Sequence, residues 1–221
     1  MQTRSGYRQR PSALSSIAGV LRSRAKGSTF LGAPGFRIPT LVVSMLLLTA
    51  SVSWIYAGTL AGVTLPDTVQ LGNESLVLNG LGLRTEFMVK VYVAGLYLSQ
   101  KTSDANGIIK SDAPKEIVLH FLHDATKKQL NDAFAESIKE NSPEAGQTVK
   151  PDLDRLFSVI EPLKAGDQMV FTYLPAKGTV FTINGKEKLA VPGPVFAQVL
   201  FSMWFGPKPP TAGLKKGLLG Q

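Results

Sequence analysis

The sequence predicts an α+β domain in which one large antiparallel sheet carries a helical layer on one face. Three observations predict it. Short apolar runs bounded by turn formers lie on both sides of a central pair of helical segments, those two segments carry apolar residues at helical spacing, and a strongly apolar helix follows the last strands. Strands, two helices, strands and a helix is the order of an antiparallel sheet covered on one side, not of alternating strand–helix units.

The first strands come from "LPDTVQLGNESLVLNGLGLR", residues 65–84, where apolar stretches are broken by Gly72–Asn73 and Asn79–Gly80. Both dipeptides tolerate positive φ and read as turns of a hairpin meander. "EFMVKVYVAGLYLS" continues it, with Phe87, Val89, Val91 and Val93 expected on one side and Met88, Lys90, Tyr92 and Ala94 on the other. Gly95 marks a bulge or bend. "KEIVLHFLHDA" is a further strand.

Thr126 followed by Gln129 is a capping-box signature, and Leu130, Phe134 and Ile138 recur every four residues as one apolar helix stripe. In "KPDLDRLFSVIEPL" Pro151 suits a first turn. Leu153, Leu156, Phe157 and Ile160 share a face there, and Pro162 ends the helix. "QMVFTYLP" and "TVFTINGKEKLAV" are strands, the second split by an Asn184–Gly185 hairpin turn. "PVFAQVLFSMWFG" is the apolar last helix, closing at Gly206.

With 221 residues, 44% of them hydrophobic, the chain supports one compact domain behind a leader. The net charge of +8 belongs to the leader, because seven basic residues from Arg4 to Arg37 precede the first acid, Asp67, and only +1 is left for the rest. The domain therefore lacks the clustered basic, aromatic-interleaved face of a nucleic-acid binder. There is no cysteine, hence no disulfide framework and no thiolate metal site.

Residues 1–61 read as a basic, Ser- and Gly-rich portion followed by "IPTLVVSMLLLTASVSWIYAGTLAG". Basic flank, apolar run and small residues is the order of a secretory signal, with cleavage expected after Ala61 and, as a second choice, after Ala57. The run also approaches the length that spans a bilayer, so an uncleaved anchor with a cytoplasmic basic side is the alternative, and a transit peptide a third. The first two readings place residues 62–221 outside the cytoplasmic membrane: periplasmic, secreted, or anchored through the N-terminal segment.

Motifs for common chemistry are missing from the sequence: no Gly-rich phosphate loop, nucleophile elbow or acid-rich cation loop is present. His120 and His123, three apart on a strand, point to opposite faces and are not expected to share a metal ion. Asp152 and Asp154 stand at a helix start, where acids favour the dipole. No metal and no cofactor is expected. What is left is an arginine, several tyrosines and many apolar faces.

"LNGLGLRTEFMVKVYVAGLYL", the helix pair ending its first member in "KEN", and "FSMWFGPKPPTAGLKKGLLG" resemble the chalcone isomerase superfamily, in particular its bacterial chalcone isomerase-like branch. The resemblance covers about residues 63–220 and implies an open-faced β-sandwich of chalcone isomerase type enclosing an apolar cleft. In plant isomerases of the superfamily an arginine, a threonine, a tyrosine, an asparagine and a late-helix hydroxyl line that cleft. In its fatty-acid-binding members the arginine and a tyrosine meet a carboxylate.

Carried over residue by residue, Arg84 matches the arginine, although the interval to "KVYVAGLYL" is shorter than in the plant enzymes. Tyr92 stands at the threonine position, as in the lipid binders. Asn141 matches the asparagine and Ser202 lies near the hydroxyl, while Phe134 occupies the place of the isomerase tyrosine and removes its phenol.

These matches imply a ligand-binding domain that takes a fatty acid or similar amphipathic carboxylate through Arg84, Tyr92, Phe134, Asn141 and Ser202, without catalysis. Two alternatives stand beside it. One is an isomerase of chalcone-like ketones using Arg84, Tyr92, Asn141 and Ser202, with Tyr173 or Ser202 supplying the missing acid function. The other is a partner-binding scaffold whose cleft is filled by its own side chains. Without the resemblance, Arg84 could equally be a surface residue tied to an internal acid such as Glu86 or Asp67. Asn141 could likewise be a helix C-cap.

Overall fold

The computed structural model describes residues 57–221, and the expectations for the leader before Ala57 lie outside the described residues. Nine strands and six helices follow in order: β1 (Ala57–Leu60), β2 (Val63–Pro66), β3 (Thr68–Leu71), β4 (Glu74–Glu86), β5 (Val89–Leu98), α1 (Ala105–Lys110), β6 (Lys115–Phe121), α2 (Lys127–Asn141), α3 (Pro143–Thr148), α4 (Lys150–Val159), β7 (Gln168–Leu174), β8 (Gly178–Ile183), β9 (Lys186–Val191), α5 (Pro194–Phe205) and α6 (Ala212–Leu218). β3 to β9 form one seven-stranded sheet in simple sequence order, antiparallel throughout. This is the α+β architecture that the sequence predicts. Among the described residues no helix is long and apolar enough to cross a membrane.

Alternation along the strands divides the apolar residues between two faces. Ala94, Leu96 and Leu98 of β5, with Ile117, Leu119 and Phe121 of β6, face the helices and join Leu130, Phe134, Ile138 and most of α5 in the main core. The apolar character of α5 follows from its place: nine of its twelve residues are buried. The opposite face carries a smaller cluster of Leu76, Leu78, Val93, Tyr97 and Val118, capped by Val63 and Leu65 from the β1–β2 hairpin. Tyr97 anchors that hairpin by donating its hydroxyl to the Pro66 carbonyl at 2.8 Å.

The helix signals correspond to local chemistry. The Thr126 hydroxyl accepts from the Gln129 amide, and the Gln129 side chain accepts from the Thr126 backbone N–H, which completes the capping box of α2. α4 begins with Pro151 in its first turn and buries Leu153 and Leu156.

Three turn expectations are corrected. Asn79–Gly80 is not a turn but the middle of β4, where pairing with β5 shifts register and Asn79 is the extra residue. The buried Asn79 amide donates to the Leu218 carbonyl at 2.7 Å, and its oxygen accepts from the Thr102 N–H at 2.7 Å. Phe87 and Met88 are not strand residues but the two-residue turn joining β4 to β5. The β5 irregularity lies at Val91, not Gly95: pairing steps from Arg84↔Tyr92 to Thr85↔Lys90.

The glycines of "NGLGL" serve a close approach made from the far end of the chain. α6 lies across β4 so tightly that a Cβ on Gly80 would stand 2.2 Å from the Gly217 carbonyl oxygen, and one on Gly82 2.4 Å from that of Leu214. Nothing heavier than hydrogen fits there.

The expected domain start at residue 62 falls inside the β1–β2 hairpin, whose turn is Ala61 (φ 50°) and Gly62 (φ 84°). A chain beginning at Gly62 lacks β1 and leaves β2 unpaired.

Two glycines, Gly82 in the β4–α6 contact and Gly213 in α6 away from it, are expected to respond with opposite signs. Gly82→Ala drives a methyl into backbone and should destabilise the domain by about 1–3 kcal/mol. Gly213→Ala, in α6 with open space around it, should be neutral or stabilise by up to about 1 kcal/mol through helix propensity. Urea unfolding of both variants beside the parent checks the pair.

Candidate functional site

The β4–β5 hairpin builds one wall of a cavity of about 630 Å³. A bulge lets two consecutive residues serve one site by re-aiming the strand, and here both Val91 and Tyr92 of β5 reach the lining. Arg84, directly opposite Tyr92 in the ladder, projects to the same side, with its guanidinium carbon 5.8 Å from the Tyr92 ring centre. The facing wall is α2, which contributes Leu130, Ala133, Phe134 and Ser137. Phe121, His123 and Ala125 close the β6 end, and Lys208 and Pro210 come from the segment after α5.

The floor is aromatic. Tyr92 packs on Phe121 at 5.6 Å between ring centres, and Phe134 meets Phe171 at 5.9 Å and the edge of Trp204 at 6.2 Å. The Trp204 indole N–H donates to the Tyr92 hydroxyl at 3.1 Å. Burial pushes the Tyr92 phenol above its ordinary value, with the Arg84 charge opposing that shift. Tyr92 is thus a fixed, neutral hydroxyl at the junction of an apolar floor and a cation.

Arg84 is half-buried and pairs with Glu86 at 2.7 Å, an acid that is itself about half exposed. The rim holds four further acids, Asp124, Asp132, Glu136 and Glu140. Three of them are paired outward or across the mouth: Asp124 with Lys164 at 2.7 Å, Asp132 with Lys128 at 2.6 Å, and Glu140 with Lys208 at 3.5 Å. The rim is thereby close to neutral, with Glu136 the one lining acid outside an ion pair among the described residues. The guanidinium, with five donors in a planar fork, retains capacity for a second acceptor beside Glu86.

Of the five residues singled out in the sequence, Arg84, Tyr92 and Phe134 come together on this lining. Asn141 and Ser202 do not reach it. The Asn141 amide donates to the Ser137 carbonyl at 2.9 Å and to the Lys208 carbonyl at 2.8 Å, and its oxygen accepts from the Lys208 N–H at 2.8 Å. It ties the end of α2 to the chain beyond α5. Ser202 donates to the Val199 carbonyl at 2.6 Å and accepts from the Ser142 hydroxyl at 2.8 Å, which joins the same two helices.

The rim residues Glu136 and Lys208 were not singled out, and no local pattern in the sequence marks them; His123 is considered from the sequence only as a metal ligand, and the structure places it on this lining. His120 contacts Gln168. Among the described residues no group of three or more His, Asp or Glu side chains is arranged to hold a metal ion.

Tyr173 is also outside the cavity. Its hydroxyl donates to Asp112, and burial together with that carboxylate pushes the phenol up to about 12. Beside it, Lys115 is almost fully buried and donates to the Ile108 and Ser111 carbonyls at 2.7 and 2.8 Å, closing the end of α1. Burial pushes the Lys115 amine down to about 8.

A pH dependence of stability follows. Between about pH 8 and the ordinary lysine value of 10.5, the unfolded chain binds a proton that the folded chain does not. Stability therefore rises with pH in that window, by at most about 1.4 kcal/mol per pH unit. Urea unfolding from pH 8 to 9.5, below the range where Tyr173 acts in the opposite sense, should show this rise in the parent and its loss in Lys115→Met.

Comparison with known proteins agrees with this architecture. The chalcone isomerase-like family profile matches residues 57–220, about three-quarters of the chain. The crystal structure of an Arabidopsis thaliana fatty-acid binding protein superposes with a TM-score of 0.60 at 14% identity, covering 74% of this chain and 96% of that one. At that identity the likeness is one of fold. No curated protein matches the chain. The match over the whole described sheet and helical layer shows that the chain belongs to the chalcone isomerase-like family.

Proposed function

We propose that the domain binds an amphipathic carboxylate, of which a fatty acid is the representative, with its chain on the aromatic floor and its head group at Arg84. The observation that carries this is the open cavity beside Arg84, about 630 Å³ in volume. That volume lies in the range of small-molecule sites, and its lining is mixed, with Arg84, His123 and the rim acids beside the apolar residues. The fold likeness to a fatty-acid binding protein supports the same ligand class.

Binding is favoured over turnover by the groups on the floor. Phe134 offers no hydroxyl, and the Tyr92 phenol is held by Trp204 in surroundings that oppose its ionisation. Asn141, Ser202 and Tyr173 spend their polar atoms elsewhere. A general acid must reach the substrate atom it protonates, and these three do not line the cavity.

Glu86 pairs with Arg84 at 2.7 Å. Being half exposed, it gives the pair little stability, on the order of 0–1 kcal/mol. A ligand carboxylate delivered with an apolar tail competes from the drier side.

Arg84→Met should accordingly change unfolding stability by less than about 1 kcal/mol and weaken fatty-acid binding about 10- to 150-fold, the worth of a charge-assisted contact. Fatty alcohols of equal chain length should bind parent and variant alike. Glu86→Gln should strengthen acid binding and leave alcohol binding unchanged. Titrations of both ligand types beside thermal unfolding check the set; unchanged acid binding in Arg84→Met overturns the carboxylate role.

A further inference from the structure

The sheet contains two two-residue hairpin turns with the same backbone and opposite chemistry. The β8–β9 turn is Asn184 (φ 49°) and Gly185 (φ 73°), the residues best suited to two successive positive φ values. The β4–β5 turn is Phe87 (φ 47°) and Met88 (φ 68°). Bulky residues are strongly disfavoured there, so local preference does not account for the pair. Packing does not account for it either, since Phe87 is 94% exposed and Met88 98%. Val89 next to them is exposed as well. The strain holds two large apolar side chains out in water at the tip of the hairpin, and Phe87 and Val89 also line the mouth of the cavity.

We propose that this tip inserts into a lipid surface, as a shallow apolar wedge that sets the cavity mouth against the bilayer. Size decides between lipid and protein. A specific protein interface takes roughly 20–30 residues a side, and a three-residue point offers far less, whereas one or two apolar side chains suit shallow entry into an interfacial layer. Charge decides the kind of lipid. The rim acids Asp124, Asp132 and Glu140 are paired with Lys164, Lys128 and Lys208, and Glu86 with Arg84, while among the described residues exposed Lys90 beside the tip and Glu136 on the lining are outside ion pairs and offset each other, so the mouth has no basic excess to draw it to anionic headgroups. The surface it fits is therefore zwitterionic, and the attraction is apolar. An amphipathic ligand leaving such a surface meets Val89 and the aromatic floor without crossing water. The insertion itself stands whatever the ligand is.

The chain has no cysteine, so Met88→Cys in the full chain gives one labelling position at the tip, and Lys177→Cys gives one at the exposed β7–β8 turn. With an environment-sensitive fluorophore, phosphatidylcholine vesicles should shift the emission of the tip label to the blue and leave the label at residue 177 unchanged. Lipids carrying a quencher in the upper acyl chain should quench the tip label alone. A second variant, Met88→Gly, removes the one residue of this turn that does not line the cavity, places there the glycine that the relaxed turn has at residue 185, and should unfold at an equal or higher temperature. It should also slow transfer of a fluorescent fatty acid from the vesicles about tenfold or more, given the apolar surface removed, while binding that acid in vesicle-free solution like the parent. No shift at the tip overturns the proposal, as does a shift that requires anionic lipid. A shift without vesicles that grows with protein concentration also overturns it, and would mean that copies of the chain meet through the tip. The vesicle-free titration reads the cavity separately, so a failed insertion and a failed ligand site give different results.

Discussion

The site depends on the register of one pair, Arg84 opposite Tyr92. Directly opposed residues of an antiparallel ladder share a face, so this register sends the guanidinium and the phenol to the helix side together. The bulge at Val91 then absorbs one residue before the turn, which keeps Val91 as well as Tyr92 on the lining. Slip that pairing by one residue and the arginine moves to the β1–β2 face. There it would meet Leu78, Val93 and Tyr97, away from the cavity.

Two anchors hold that register. Asn79 and the close approach of α6 pin the middle of β4 through the Leu218 carbonyl and the glycine contacts, and the tight Phe87–Met88 turn pins its end. The indole of Trp204 then fixes the Tyr92 hydroxyl from α5, a helix whose near-complete burial leaves it little room to shift. The cation ends up between water and an aromatic floor, which is where a head group that is charged and a tail that is not can both be accommodated.

Features encoded within a few residues were legible in the sequence, and features encoded by distant contacts were not. The Thr126–Gln129 box, the stripe Leu130–Phe134–Ile138 and the Asn184–Gly185 turn carry their reason locally, in a side-chain oxygen, a helical period and a tolerance of positive φ. Asn79–Gly80 carries the same turn chemistry but answers to α6, more than a hundred residues later, and so it misleads. Phe87–Met88 misleads in the other direction, because a turn made of residues that resist it looks like strand. α1 and α6 are too short to show a period. Within the site, Arg84, Tyr92 and Phe134 were recognisable through family resemblance, not through any pattern of their own. Asn141 and Ser202 fit the same resemblance but are committed here to joining α2 with α5.

The central claim is that the Arg84 guanidinium meets a ligand carboxylate inside the cavity. Carbon-13 NMR of a fatty acid labelled at its carboxyl carbon, bound to the domain and titrated with acid, tests it most directly. The bound carboxyl is expected to stay ionised well below the ordinary carboxylate range, and in Arg84→Met the same signal is expected to titrate at or above that range. A bound carboxyl that titrates at or above the ordinary value in the parent protein would contradict this role of Arg84, because it would place the head group in apolar surroundings away from that guanidinium.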